Sequence, residues 1–192
     1  MNRRTLIGVI VAGFVVFMWG FAFWGATTAP YQVWDSVPND PKVQSELAKL
    51  FPESGYYSIP SVTNNSPKEL GALLDTGVWA TVNIDHSPPQ QGDISNMLLG
   101  LGHCIVVMFL LAVLFTHLRA TGIRTAFLVG LCASVFNALG DVIWWNYPLS
   151  WKATLMIYDM GFWIIGGLVL TFFLRFANSP IENTEADATA AT

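Results

Sequence analysis

Four apolar stretches, roughly Thr5 to Ala26, Asn96 to Thr116, Thr125 to Asn146 and Thr154 to Phe176, constrain this chain more than anything else in it. Each is long enough to cross a bilayer, which takes about 20 residues of helix. Inside hydrocarbon a segment must satisfy its own backbone hydrogen bonds, so apolar runs of this length form helices. The expected class is an all-α membrane protein, a four-helix transmembrane bundle with a small α+β extracytoplasmic cap between spans 1 and 2.

Composition points the same way, with 53% hydrophobic and only 11% charged residues where soluble domains carry about 25% charged. The expected organisation is a first anchor over residues 1–27, a cap over 28–95, a three-span bundle over 96–176 and a disordered cytoplasmic tail over 177–192. Spans within that bundle are placed at about 96–116, 125–146 and 154–176. The formal charge of −4 comes largely from the cap and the tail, which leaves no basic surface for nucleic acid. Cys104 and Cys132 both fall inside spans, so neither a disulfide framework nor a metal knuckle is expected, and both thiols read as packing groups.

Basic residues set the orientation. All five arginines (Arg3, Arg4, Arg119, Arg124, Arg175) fall on one side of the spans and all four lysines (Lys42, Lys49, Lys68, Lys152) on the other. Near the span ends arginine outweighs the single Lys152, so the positive-inside rule places both termini in the cytoplasm. The expected location is a bacterial inner membrane, with the long loop outside. The first span begins like a signal peptide, but its apolar run is too long and its exit, Thr27-Thr28-Ala29-Pro30, is poor for cleavage, so it is read as an uncleaved anchor. Gly8, Ala12, Val16 and Gly20 give that anchor a small-residue seam for another helix, within this chain or in a homodimer or other membrane protein.

In the outer loop, Asp40-Pro41 reads as an N-cap with proline at the first helical position, opening a helix that Pro52 stops. Ser66-Pro67-Lys68-Glu69 is a capping box, opening a second helix that Gly77 ends. Gly55–Ile59 and Val78–Ile84 have strand composition. The segment Ser87–Gly92 reads as a connector into the second span.

The run Met18-Trp-Gly-Phe-Ala-Phe-Trp24, then Ser54-Gly-Tyr-Tyr-Ser-Ile-Pro60, then Trp145-Asn-Tyr-Pro148, resembles a pattern in an uncharacterised group of small four-span bacterial inner-membrane proteins. That resemblance implies the topology and a bacterial source, and it carries over no catalytic residue.

Chemistry is confined to a few polar groups in the spans. His103, Asp141 and Asp159 stand where hydrocarbon is expected, and ionisable groups at that depth are functional candidates. By helical rise all three fall roughly 8–10 Å below the outer boundary. Gly130, Ser134, Asn137 and Asp141 share a stripe of the third span, so His103, Asn137, Asp141 and Asp159 are expected to face one pocket, with Trp144 and Trp145 as candidate walls. The plainer alternative is interhelical hydrogen bonding, with one carboxylate protonated or paired with His103. A metal at His103, Asp141 and Asp159 lacks the dense His or Cys spacing that such sites use, so no cofactor is expected. No serine–histidine–acid set, phosphate loop or CxxC occurs. The leading expectation is a non-enzymatic accessory or small-ligand-binding membrane protein. Its rival is a membrane enzyme or proton-coupled carrier that uses His103, Asp141 and Asp159.

Overall fold

The computed structural model describes residues 3–87, 93–118 and 122–178. The N-terminal Met1-Asn2, most of the expected connector, Arg119 and the expected disordered tail beyond Asn178 lie outside those residues. Four helices are long and apolar enough to cross a membrane: α1 (Arg3–Gly20, prolonged by a π-helical turn Phe21–Gly25), α4 (Ile94–Leu118), α5 (Ile123–Trp145) and α6 (Leu149–Asn178). Between the first two lie α2 (Asp40–Leu50), β1 (Gly55–Ile59), α3 (Pro67–Thr76) and β2 (Ala80–Ile84). The chain divides into two compact units, Met1–Asp35 with Ile94–Thr192, and Ser36–Asp93.

In the helical unit α1 packs on both α4 and α6, and α6 packs on α5. Val9, Ala12 and Val16 of α1 meet Met108, Leu111 and Phe115 of α4 and Leu170 of α6 in one core. The small-residue seam of α1 is therefore used within the chain. Gly13 shows why small residues are needed, since a Cβ there would lie 2.8 Å from the Ile105 backbone. At Gly130 a Cβ would lie 2.6 Å from that of Trp163 on α6. These contacts also fix direction: Gly8 meets Phe173 while Gly161 meets Trp19, so α1 and α6 run antiparallel, and α5 opposes α6 likewise. Arg3, Arg4 and Arg124 then fall toward one end of the helices, and Lys152 toward the other.

At the lysine end, Trp24 leaves the π turn to meet Trp151 at 6.0 Å and Tyr158 at 5.5 Å between ring centroids. A 3₁₀ turn, Ala29–Val33, brings Tyr31 and Trp34 into the same cluster, Trp34 lying 5.4 Å from Trp151. This is why the helical unit extends to Asp35, seven residues beyond the expected start of the cap at residue 28. Trp24 and Trp151 thus belong to one packed aromatic cluster.

The smaller unit holds its form with little burial; none of its described residues is fully buried. Its two strands pair antiparallel, Gly55 opposite Ile84 and Ile59 opposite Ala80. At α3 the capping box is complete: Glu69 N–H reaches Ser66 Oγ at 3.4 Å and Ser66 N–H reaches the Glu69 carboxylate at 2.9 Å. The N-cap of α2 is Asn39 rather than Asp40, its side-chain oxygen accepting from Lys42 N–H at 3.1 Å. His86 ties the strand end back, with its N–H on Ser54 Oγ at 3.0 Å and Nε2 on the Phe51 carbonyl at 2.7 Å.

Candidate functional site

Helix α5 ends at Trp145 because Asn146 takes a left-handed backbone, φ 52° and ψ 33°, which asparagine tolerates better than most residues. The Asp141 carbonyl accepts from Asn146 N–H and from Tyr147 N–H, the latter at 3.3 Å. Pro148 then starts α6, its carbonyl accepting the first helical bond from Lys152 N–H at 3.1 Å. Helix α6 thus begins five residues before the expected Thr154. Lys152, read from the sequence as a loop charge, stands one turn inside a helix.

That early start decides the chemistry. Lys152 is 8% exposed, and its ammonium donates to Asp141 Oδ2 across the α5–α6 turn. The same Nζ lies 4.4 Å from the centroid of the Tyr147 ring, close enough for a cation–π contact. The Asp141 side chain keeps 36% of its surface open, so the pair has one dry partner and one that reaches outward. Asp141 also lines a hollow with Asn137, Gly140, Trp144 and Trp145, about 760 Å³ in size, whose lining comes from α5 alone. The sequence reading therefore brings four of its six site residues together: Asn137, Asp141, Trp144 and Trp145.

The other two lie elsewhere. His103 is exposed on α4 and lines a different hollow, with Phe17, Met97, Gly100 and Tyr158. Asp159 is half-buried on α6 and lines neither hollow. Depth explains part of this separation. Measured from the helix ends, Asp141 is about 6 Å in, whereas His103 and Asp159 are about 14–15 Å in, so the single level expected from the sequence splits into two. Among the described residues His103 forms no ion pair with either aspartate. No three His, Cys, Asp or Glu side chains among them stand close enough to hold a metal, so His103, Asp141 and Asp159 are not gathered as a ligand set.

No family model, curated protein or solved structure matches this chain. The resemblance to small four-span proteins thus finds no counterpart there, and the functional reading rests on geometry alone.

Two further groups refine the picture. Ser134, on the expected polar stripe, is 1% exposed, and its hydroxyl has no hydrogen-bond partner among the described residues. It faces inward with Gly130 and Ala138, while Asn137 is exposed, so the stripe divides between two sides of α5. Cys104 is buried as expected, but Cys132 is exposed. Lys152 is the residue of the candidate site that sequence reasoning misses. Its signal was Pro148 four residues upstream, a helix start with a lysine placed one turn later on the side of the preceding helix.

Proposed function

We propose that this chain is an integral protein of a bacterial inner membrane, with both termini cytoplasmic, acting as a non-enzymatic accessory or small-ligand-binding protein. Its site is the α5 hollow at the lysine end of the helices, and the arginine and lysine distribution supports an outer-side position for that end. The observation that carries this reading is a salt-bridged carboxylate at the edge of a hollow that also presents a carboxamide, Asn137, and an indole face, Trp144. Ligand sites combine a largely apolar lining with a few fixed polar groups in this way. Lys152 balances the charge of Asp141, so the ligand expected is an uncharged or zwitterionic polar molecule with a flat apolar part to lie on Trp144.

The test is native mass spectrometry of the full-length protein extracted in lipid nanodiscs, parent against Trp144→Ala. Trp144 is 77% exposed, so its truncation leaves the fold intact. The parent should carry a discrete small molecule that the variant loses at unchanged thermal stability. A parent that carries bulk lipid only, and whose melting no metabolite fraction shifts, overturns the reading.

The proton-carrier alternative draws on a separate observation: Asp159 is half-buried, deep in α6, in a segment apolar enough to span a membrane. Vesicles containing a pH-sensitive dye discriminate. Proton flux that Asp159→Asn abolishes would favour the carrier, and flux no greater than in protein-free vesicles removes it.

A further inference from the structure

The hollow on α5 lacks a second wall. Asn137, Gly140 and Trp144, spaced three and four residues apart, follow one flank of the helix, with Ala133 continuing the line. Counted from Trp145, Asn137 lies about 12 Å along the axis, which is inside hydrocarbon for a helix of this length. Its side chain is exposed and hydrogen-bonds to no described residue. A carboxamide carries two donors and an acceptor, and hydrocarbon offers it nothing.

Gly140 marks the same flank. A Cβ there would meet no atom within 4 Å, whereas Gly13 and Gly130, at the helix contacts, have Ile105 and Trp163 within 3 Å. Gly102 on α4 is equally open, but its neighbours Leu98, Leu99 and Val106 are apolar and suit lipid without a partner. The α5 flank combines room for a close backbone with a polar group that needs one.

We infer that a second copy of this chain packs along that flank, α5 against α5 about a two-fold axis, with the two Asn137 carboxamides bonded to each other. A carboxamide is its own hydrogen-bond complement, and a two-fold axis sets identical groups opposite each other at identical depth. The copy's α5 covers the hollow beside Asn137 and Gly140 and walls its outer end at Asp141 and Trp144, where the ligand would then sit. The closed chamber follows from the site proposed above, while the interface itself stands on Asn137 and Gly140.

Cysteine cross-linking in lipid vesicles tests this, using full-length protein with Cys104→Ala and Cys132→Ser as background. Gly140→Cys and Ala133→Cys should each oxidise to a covalent dimer, and Leu128→Cys, exposed and nine residues from Asn137 on the opposite face, should not. Asn137→Leu should weaken dimerisation by about threefold or more, the scale of an interhelical hydrogen bond in a membrane, and Asn137→Gln should restore it. Equal cross-linking around α5, a monomer at every lipid dilution, or a cross-link from Gly140→Cys to a different polypeptide in native membranes overturns the inference. A specific dimer that carries no small molecule retains the interface and sinks only the ligand site.

Discussion

Lys152 and Asp141 are coupled unequally, because the lysine is nearly dry while the aspartate reaches outward. Replacing Asp141 by Asn strands a buried ammonium, whereas replacing Lys152 by Met leaves a carboxylate that can turn toward water. A buried pair broken from one side typically costs about 3–5 kcal/mol, and the openness of Asp141 reduces that. Thermal or denaturant unfolding in detergent should show Asp141→Asn destabilising by about 1–3 kcal/mol and Lys152→Met by less. The double variant should recover much of the loss, with a coupling of about 1 kcal/mol or more. Equal single losses that simply add would show that the pair contributes no mutual stabilisation. Read from the sequence as one of two carboxylates, one of them protonated or paired with His103, Asp141 would tolerate Asn; its partner Lys152, eleven residues away, reverses that expectation.

At the scale of elements, the capping box of α3 gives a dependence on pH. Hydrogen bonds from the Ser66 side chain and backbone hold the exposed Glu69 carboxyl below its usual range. A carboxyl depressed in the folded state adds stability that is present above its unfolded pKa and is lost as pH falls through the folded one. Amide resonances of Ser66 and Glu69, followed by NMR on acidification, should shift together below the ordinary glutamate range, and Ser66→Ala, which removes the hydroxyl but keeps the backbone donor, should move the Glu69 titration toward that range. A Glu69 that titrates identically in parent and variant would show that the box does not form in solution. Local signals of this kind are legible in the sequence: the capping box, Gly77 as terminator, the β1 strand and the existence of four long apolar helices all follow from hydrophobic pattern and cap chemistry. What the sequence hid were facts that depend on where a helix begins. Five residues of error at the start of α6 misplaced Lys152 and also merged the levels of Asp141 and Asp159, because each residue shifts depth by about 1.5 Å and facing by about 100°. Depth and a polar stripe of Asn96, Gly100 and His103 group His103 with the aspartates in the sequence, but which helices are neighbours is a tertiary outcome, and α4 packs chiefly on α1.

For the whole molecule, the arginine and lysine ends of the helices lead to a topology test. Cysteine at Ser66, in the smaller unit, should react with a membrane-impermeant thiol reagent in cells stripped of their outer membrane, with Cys132 replaced by serine because it is exposed. Cysteine at Arg4, at the opposite end of α1, should not. The reverse pattern overturns the orientation.

The position of α1 between α4 and α6 also bears on how the protein is made. During synthesis α5 and α6 are joined by a three-residue turn and can pair as soon as both emerge, but α1 enters the membrane about seventy residues before its first neighbour exists. Until then its seam of Gly8, Ala12, Val16 and Gly20 faces lipid or whatever insertion machinery shelters it. Damage to that seam therefore acts in the newborn chain, where quality-control proteases select, so its signature is a shortened lifetime in the cell rather than an altered site in the protein that survives.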